Sequence, residues 1–359
     1  MKVDPLQAAR SGEWRRFAVA FALAALGFGA AAIAFVAAAD PYGLRAAPGR
    51  PPGPLMDSNQ RFLYPQIVRG GAYDSAVIGT STSRLLDPVA LDRALGGRFA
   101  NLAMNAATPF EQAAMTRLFL AQGTPRTLVL ALDSTWCEPD ADARRLTTRP
   151  FPGWLYEDGA PFAALRQANW QSLVTGADVL LHRIGLLPER IRRDGYAVFT
   201  PPEASYDAAR ASRHIHGGTT LGKAETVVTS AEASLSDAMP ALDWLDALLA
   251  ATPPATTKLL AFMPVHVATQ GRPGTPRGSR EAACKARVAQ IGRRHGATVA
   301  DFRIASPVTT EDGNYWDALH YRLPVAARIV DGLAAALAEG TDDRDGFFRV
   351  LAHPRAGAD

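Results

Sequence analysis

The chain has 359 residues, of which 48% are hydrophobic and 20% charged, and its formal net charge at neutral pH is +3. This length allows one large or two ordinary domains, and the composition is that of a globular protein rather than a disordered one. A net charge this small gives no reason to expect a nucleic-acid partner.

A long apolar segment lies near the N-terminus. Residues 17–39 carry no charged side chain and follow the basic residues Arg15 and Arg16. About 20 apolar residues cross the hydrocarbon core as a helix, so we predict a transmembrane anchor over 17–39, with residues 1–16 in the cytoplasm. A cleaved signal peptide is an alternative, since Ala37-Ala38-Ala39 fits a cleavage site, and a buried soluble helix is another. Either membrane interpretation places the main domain in a bacterial periplasm, with the anchor in the inner membrane.

The rest of the chain divides by composition. Residues 40–58 are rich in proline and glycine, which predicts a stiff, non-helical linker. We expect the main domain over 59–340, and a flexible tail over 341–359. The only cysteines are Cys137 and Cys284. Sequence cannot show whether they meet, and we expect two unrelated residues rather than a disulfide.

Short apolar runs alternate with helical stretches along the main domain. The predicted strands are 76–79, 99–104, 128–132, 258–264 and 298–302. The predicted helices are 88–95, 109–122, 231–250, 280–295 and 324–339, and a capping box of Thr108 and Glu111 is expected at the start of the second. This alternation predicts an α/β fold with a mainly parallel, doubly wound sheet. Residues 134–255 lack a clear strand–helix rhythm and are expected to form a helical insertion.

Two short segments about 240 residues apart carry the side chains of nucleophilic acyl transfer. Ser81 follows the first predicted strand, whereas Asp317 and His320 precede the last helix. A hydroxyl nucleophile, a base that takes its proton and an acid that orients the base are what this chemistry needs. The three-residue separation of Asp317 and His320 would place them on one face of a helical turn. The alternative for each segment alone is an ordinary polar loop.

Gly79-Thr80-Ser81 after the first strand, together with Asp317-Ala318-Leu319-His320, resembles the SGNH (GDSL-like) hydrolase family. The similarity is greatest to its membrane-anchored, polysaccharide O-acetyltransferase-like branch, related to alginate acetylation and teichoic acid D-alanylation proteins. The resemblance covers roughly residues 70–335. It implies a three-layer α/β/α fold, with Ser81 as nucleophile, His320 as base and Asp317 as orienting acid.

The resemblance also implies an oxyanion hole built from the backbone N–H groups of Ser81 and Ala106. Ala106 stands where the family has a glycine. The family's third block normally adds an asparagine amide, but the strand here ends with Asp133 and no asparagine follows. Losing one oxyanion donor can lower turnover by about 10²–10³. Asn105, or a group from the insertion, is expected to replace it.

Further residues are candidates for substrate binding. Arg84 is expected either to pair with Asp87 or to hold an anionic substrate group. The other candidates, each with a purely structural alternative, are Asp133, His266, Trp316 and Tyr321. His214 and His216 have no third metal ligand at a recognisable spacing, so we expect neither a metal nor another cofactor.

The sequence thus predicts an envelope enzyme that transfers or removes an acyl group, which we expect to be acetyl, on a polysaccharide hydroxyl. Water as acceptor would make it an esterase, and a sugar hydroxyl would make it an O-acetyltransferase. The expected partners are a polysaccharide or acylated sugar, the inner membrane and a membrane-embedded acyl donor protein. The alternative is a catalytically weak SGNH-like protein that binds carbohydrate or scaffolds a polysaccharide export or modification complex.

Overall fold

The computed structural model describes residues 5–157, 163–217 and 238–354. Its six-stranded sheet has the order β2-β1-β3-β4-β5-β6. The strands are β1 (Ser75–Ile78), β2 (Phe99–Asn101), β3 (Thr127–Leu132), β4 (Thr257–Phe262), β5 (Thr298–Asp301) and β6 (Arg349–Ala352). Strands β1 to β5 are parallel, and β6 runs antiparallel to β5 at one edge. The predicted α/β class and mainly parallel sheet are confirmed.

Helices separate the strands and precede the sheet. They are α1 (Pro5–Ala39), α2 (Gln60–Arg69), α3 (Pro88–Leu95), α4 (Pro109–Ala121), α5 (Ala163–Arg166), α6 (Trp170–Arg183), α7 (Ala208–His216), α8 (Ala241–Ala251), α9 (Pro276–Arg294) and α10 (Leu323–Glu339). The helix predicted over 231–250 corresponds to α8, and residues 231–237 of that prediction lie outside the described residues. Helix α2 was not predicted.

Helices cover both faces of the sheet because its strands are apolar on both sides. Alternate residues of each strand, such as Leu130 and Val129, enter two different cores. The first core is covered by α2, α4, α8 and α9. The second core is covered by α3 and α10, which contribute Leu91 and Ile329. Because strands β1 to β5 are parallel, their carboxyl ends lie at one shared edge of the sheet.

The segment after α10 differs from its prediction as a flexible tail. Gly340 ends α10 in the left-handed conformation (φ 69°), and the chain then returns to the sheet as β6. Phe347 and Phe348 are buried in the second core. The polar composition hid this strand because only a few of its residues face inward. Residues 355–359 lie outside the described part of the chain.

The two cysteines also differ from expectation, because they form a disulfide. Cys137 lies in a short turn after β3 and Cys284 lies in α9, with their Cα atoms 5.6 Å apart. Their separation of 147 residues carried no information about this contact. The fold brings α9 over the carboxyl end of β3, which places the two thiols together.

The N-terminal helix contains one segment, Glu13–Ala39, that is long and apolar enough to cross a membrane by length and composition. Most side chains of Glu13–Ala39 are exposed, whereas Val36 and Ala39 in its last turns are buried. The proline-rich residues that follow are non-helical, but they do not form a free spacer. Tyr42 and Leu55 are fully buried against the domain.

Candidate active site

Ser81 lies at the carboxyl edge of the sheet because Gly79, two residues before it, lets the chain pass close to β3. A Cβ atom at Gly79 would lie 2.7 Å from the carbonyl oxygen of Ala131 on β3. The absence of a side chain lets the chain leave β1 beside β3 and turn sharply. Ser81 then begins a short 3-10 turn that ends at Ser83, and its side chain remains partly exposed.

Asp317 and His320 lie in a tight loop rather than on the predicted helical turn. A β-bridge between Tyr315 and Tyr321 closes this loop, and α10 begins only at Leu323. The carbonyl of Ala318 accepts a hydrogen bond from the N–H of His266 at 3.0 Å. The loop geometry still brings the carboxylate to the imidazole, because it folds back on itself within six residues.

The three side chains form a continuous row of hydrogen bonds. His320 Nε2 lies 3.0 Å from Ser81 Oγ, and His320 Nδ1 lies 2.8 Å from Asp317 Oδ2. A carboxylate accepts only, so Nδ1 carries the proton and Nε2 offers its lone pair to the serine hydroxyl. The tautomer required of a general base is therefore set by Asp317.

The local environment keeps Asp317 ionised. Burial by itself would raise the pKa of Asp317, but the hydrogen bond and charge of His320 hold that pKa below its usual value. The N–H groups of Leu319 and His320 also donate to Oδ1, at 2.8 and 2.9 Å. An ionised Asp317 stabilises the imidazolium that forms when His320 takes a proton.

Two backbone N–H groups beside Ser81 are available to a ligand. Among the described residues, neither the N–H of Ser81 nor that of Ala106 donates to a protein acceptor. Ala106 has φ 49°, a left-handed conformation that alanine rarely adopts. The glycine-like turn is thus retained with an alanine, and its backbone donor is kept.

A buried ion pair holds the turn at Asn105 and Ala106 in its orientation. Arg61 and Glu111 are both fully buried and bonded to each other, with Arg61 Nε 2.9 Å from Glu111 Oε1. Arg61 also donates to the carbonyls of Asn105 (3.1 Å) and Ala106 (3.4 Å). In a trans peptide the C=O and N–H groups point in opposite directions. Holding the Asn105 carbonyl therefore directs the Ala106 N–H away from Arg61.

The same ion pair is built into the start of α4. Glu111 Oε2 accepts from the N–H of Thr108, whose hydroxyl in turn accepts from the N–H of Glu111. This capping box was predicted from the sequence and is confirmed. The partnership of Arg61 with Glu111 was missed, because 50 residues separate them and α2 was not predicted.

Asn105 is oriented by Arg84. Arg84 Nη1 donates to Asn105 Oδ1 at 2.9 Å, and its guanidinium lies over the ring of Phe199. A guanidinium only donates, so the amide oxygen of Asn105 faces Arg84 and its Nδ2 group points elsewhere. The predicted pairing of Arg84 with Asp87 is wrong, since Asp87 bonds to Arg192 at 2.8 Å.

A cavity of about 380 Å³ opens beside Ser81. Its wall includes Ala106, Pro109, Val265 and Leu319, and Asp133 adds a carboxylate. Asp133 Oδ1 accepts from the N–H of Thr135 at 2.9 Å, so this position holds acceptors and not the amide donor of the family pattern. Of the five substrate-binding candidates, only Asp133 lines this cavity.

The remaining candidates contact the loop that carries Asp317 and His320, or lie next to it. Tyr321 is buried and its hydroxyl donates to the carbonyl of Thr82, which ties the histidine loop to the serine turn. Burial raises the pKa of the Tyr321 phenol well above its usual value. The ring of Trp316 packs edge-on against Tyr206, and His266 is 2% exposed. These three positions act on the site through the loop they pack against.

A second histidine cluster lies next to the same loop. The ligand atoms of His216, His266 and Asp312 lie within 4.8 Å of one another, whereas His214 is exposed and takes no part. The folded chain thus brings together three potential metal ligands, which the spacing of residues along the sequence did not indicate. However, His266 Nδ1 accepts from the N–H of Ala268 at 3.2 Å. Its Nε2 then carries the proton, so it offers no lone pair to a metal ion, and it lies 3.1 Å from Asp312 Oδ1 without forming an aligned hydrogen bond.

Comparisons of the chain with protein-family models, with curated proteins and with solved structures find no match. The side-chain geometry at the sheet edge therefore carries the functional argument.

Proposed function

We propose that this protein is a membrane-anchored serine acyl-transfer enzyme of the SGNH type, acting on an envelope or extracellular polysaccharide. The observation that carries the proposal is the hydrogen-bonded row Asp317–His320–Ser81 at the mouth of a cavity. The residue types, the tautomer of His320 and the order in which the three side chains are hydrogen-bonded are those needed for nucleophilic acyl transfer.

In this mechanism His320 Nε2 takes the proton of Ser81 as Oγ attacks the acyl carbonyl carbon. The negative charge that develops on the carbonyl oxygen is stabilised by the N–H groups of Ser81 and Ala106. His320 then returns the proton to the departing alcohol, which leaves an ester on Ser81. Water or a sugar hydroxyl, deprotonated by His320, attacks that ester and releases Ser81. Water gives an acetylesterase, and a sugar hydroxyl gives an O-acetyltransferase.

Two features support a periplasmic location with the N-terminus in the cytoplasm. Helix α1 contains a segment of sufficient length and apolarity for a single span. The disulfide between Cys137 and Cys284 is of a kind that forms and persists in oxidising compartments. A site beside the membrane suits a transferase that receives its acyl group from a membrane-embedded donor protein.

Labelling of the full chain in detergent by a fluorophosphonate probe tests the proposal. We expect labelling of the wild type and none of Ser81→Ala. Asp317→Asn should slow labelling by about 10²–10⁴, because the histidine loses its tautomer and its counter-charge. Ser134→Ala is the matched control, since Ser134 lines the same cavity and no histidine among the described residues is bonded to its hydroxyl. Labelling that survives Ser81→Ala would disprove the role of Ser81.

The second candidate function is a catalytically weak protein that binds carbohydrate or scaffolds an export complex. Asp133 favours it, because a carboxylate stands near the position where the family supplies an amide donor. Wild-type protein that binds polysaccharide but resists the probe would support this candidate over the enzyme.

A further inference from the structure

Exposed large hydrophobic side chains are concentrated on one part of the described surface. Outside α1 there are ten such residues. Six of them lie between positions 165 and 186: Leu165, Trp170, Val174, Leu180, Ile184 and Leu186. Contiguous exposed apolar surface of this kind marks an interaction site rather than ordinary surface.

On α6 these residues form a single stripe. Trp170, Val174 and Ala177 on α6, and Ile184 at its C-terminal cap, are exposed. They follow one another at intervals of four, three and seven residues, which places them on one side of the helix with Leu180 beside them. We call these five residues the α6 stripe.

The buried face of α6 is the more polar one. It carries Ser172, Thr175 and Gly176, together with Val179. A helix that meets water on its outer face shows the opposite pattern, with apolar residues inside and polar residues outside. The exposed face of α6 is therefore built for an apolar neighbour.

Helix α6 packs against the end of α1. A Cβ atom at Gly176 would lie 3.0 Å from the ring of Phe35 and 3.3 Å from Ala39, so the two helices approach closely. Arg183 Nη2 donates to the carbonyl of Ala39 at 3.1 Å. The apolar exterior of α6 is thus adjacent to the end of the membrane-spanning segment.

The length of α1 places this contact near the bilayer surface. The uncharged stretch 17–39 has 23 residues, about 35 Å of helix, whereas the hydrocarbon core is about 30 Å thick. The last turns of α1 therefore extend towards the headgroups. Tryptophan is enriched at that level, and Trp170 is 79% exposed. The exposed arginines Arg166 and Arg183 can meet lipid phosphates at either end of α6.

We propose that the α6 stripe lies in the interface of the bilayer that α1 crosses, as a second contact between this domain and lipid. The proposal rests on α1 spanning the membrane and does not depend on acyl-transfer chemistry. Lipid is the occupant that the structure favours, because the stripe adjoins a lipid-facing helix and four of its five side chains are purely hydrocarbon. Two contacts would hold the domain at a fixed orientation to the membrane.

Spin-label accessibility in the full chain tests this placement. The native cysteines are paired, so one engineered cysteine can carry a nitroxide in protein reconstituted into phosphatidylcholine–phosphatidylglycerol vesicles without any partner protein. The test positions are Val174→Cys and Ile184→Cys. The lipid reference is Phe28→Cys in α1, and the aqueous control is Val89→Cys, an exposed apolar position on α3.

We expect the labels at 174 and 184 to be relaxed by oxygen in preference to a water-soluble nickel complex, as at position 28, with the opposite preference at 89. Preference for the nickel complex at 174 and 184 would overturn the proposal and leave the stripe for a protein partner. Shielding from both reagents would also overturn it, since the stripe would then contact another copy of the chain. Nickel access at position 28 would show that α1 does not cross the bilayer.

A charged variant provides a second measurement. Trp170→Glu with Val174→Glu alters only exposed side chains, so the core is untouched. The label at Ile184→Cys should then shift from oxygen to nickel accessibility, while the label at Phe28→Cys stays in lipid. An unchanged label at 184 would overturn the proposed lipid contact.

Discussion

Replacing Arg61 with methionine should separate the stability of the domain from the geometry of the candidate oxyanion site. The substitution leaves Glu111 charged and fully buried without its partner. Breaking a buried ion pair in this way costs about 3–5 kcal/mol in the free energy of unfolding. The Asn105 and Ala106 carbonyls lose their donor at the same time. The Ala106 N–H is then no longer directed, and fluorophosphonate labelling should slow by up to about 10²–10³.

The double variant Arg61→Met with Glu111→Met distinguishes the two effects. Apolar residues of similar volume can replace a buried ion pair with little loss of stability, apart from about 1 kcal/mol for the lost capping bond at Thr108. We therefore expect the urea midpoint to recover towards the wild-type value while labelling stays slow. A double variant that is stable and labels at the wild-type rate would refute the positioning role of Arg61.

Lys285→Met is the matched control for this experiment. It breaks another pair, Lys285 with the buried Asp301 at 2.9 Å, and neither residue lines the cavity beside Ser81. The urea midpoint should fall, whereas the labelling rate of the folded fraction should not change. A fall in labelling equal to that of Arg61→Met would show that destabilisation alone explains the loss.

Three further predictions concern other parts of the molecule. Ala106→Gly should raise the free energy of unfolding by up to about 1 kcal/mol in urea titrations and keep labelling, because glycine relieves φ 49° and retains the N–H; a clear loss of stability would contradict this. Reduction of the Cys137–Cys284 bond should lower the melting temperature, at a cost of about 2–4 kcal/mol, and maleimide should modify the protein only after reduction. Burial lowers the pKa of His266, against the opposing charge of Asp312, so the unfolded chain binds this proton more readily. Wild-type stability should therefore fall as the pH drops below about 6.5, and His266→Gln should lack this component; parallel pH–stability curves would contradict it.

Local sequence signals predicted much of the fold because they depend on neighbouring residues. The apolar run of β3 and the capping box at Thr108 and Glu111 are contained within a few positions, and both were found. The prediction of a flexible tail over 341–359 was wrong because it, too, considered only neighbouring residues. β6 is held by its pairing with β5 and by Phe347 and Phe348 in a distant core, neither of which periodicity can report.

The sequence by itself determined which chemical groups are available: the serine after β1, the Asp–His pair before α10, and an apolar helix long enough to cross a membrane. Only the tertiary structure decided that Ser81 and His320, 239 residues apart, lie 3.0 Å from each other. It also showed that Arg84 and Tyr321, which were predicted to contact substrate, bond to Asn105 and Thr82 and so hold parts of the site in position. The physical reason is that side-chain partners separated by many residues are chosen by packing of the sheet and its helices. Neither spacing nor composition in the chain records that packing.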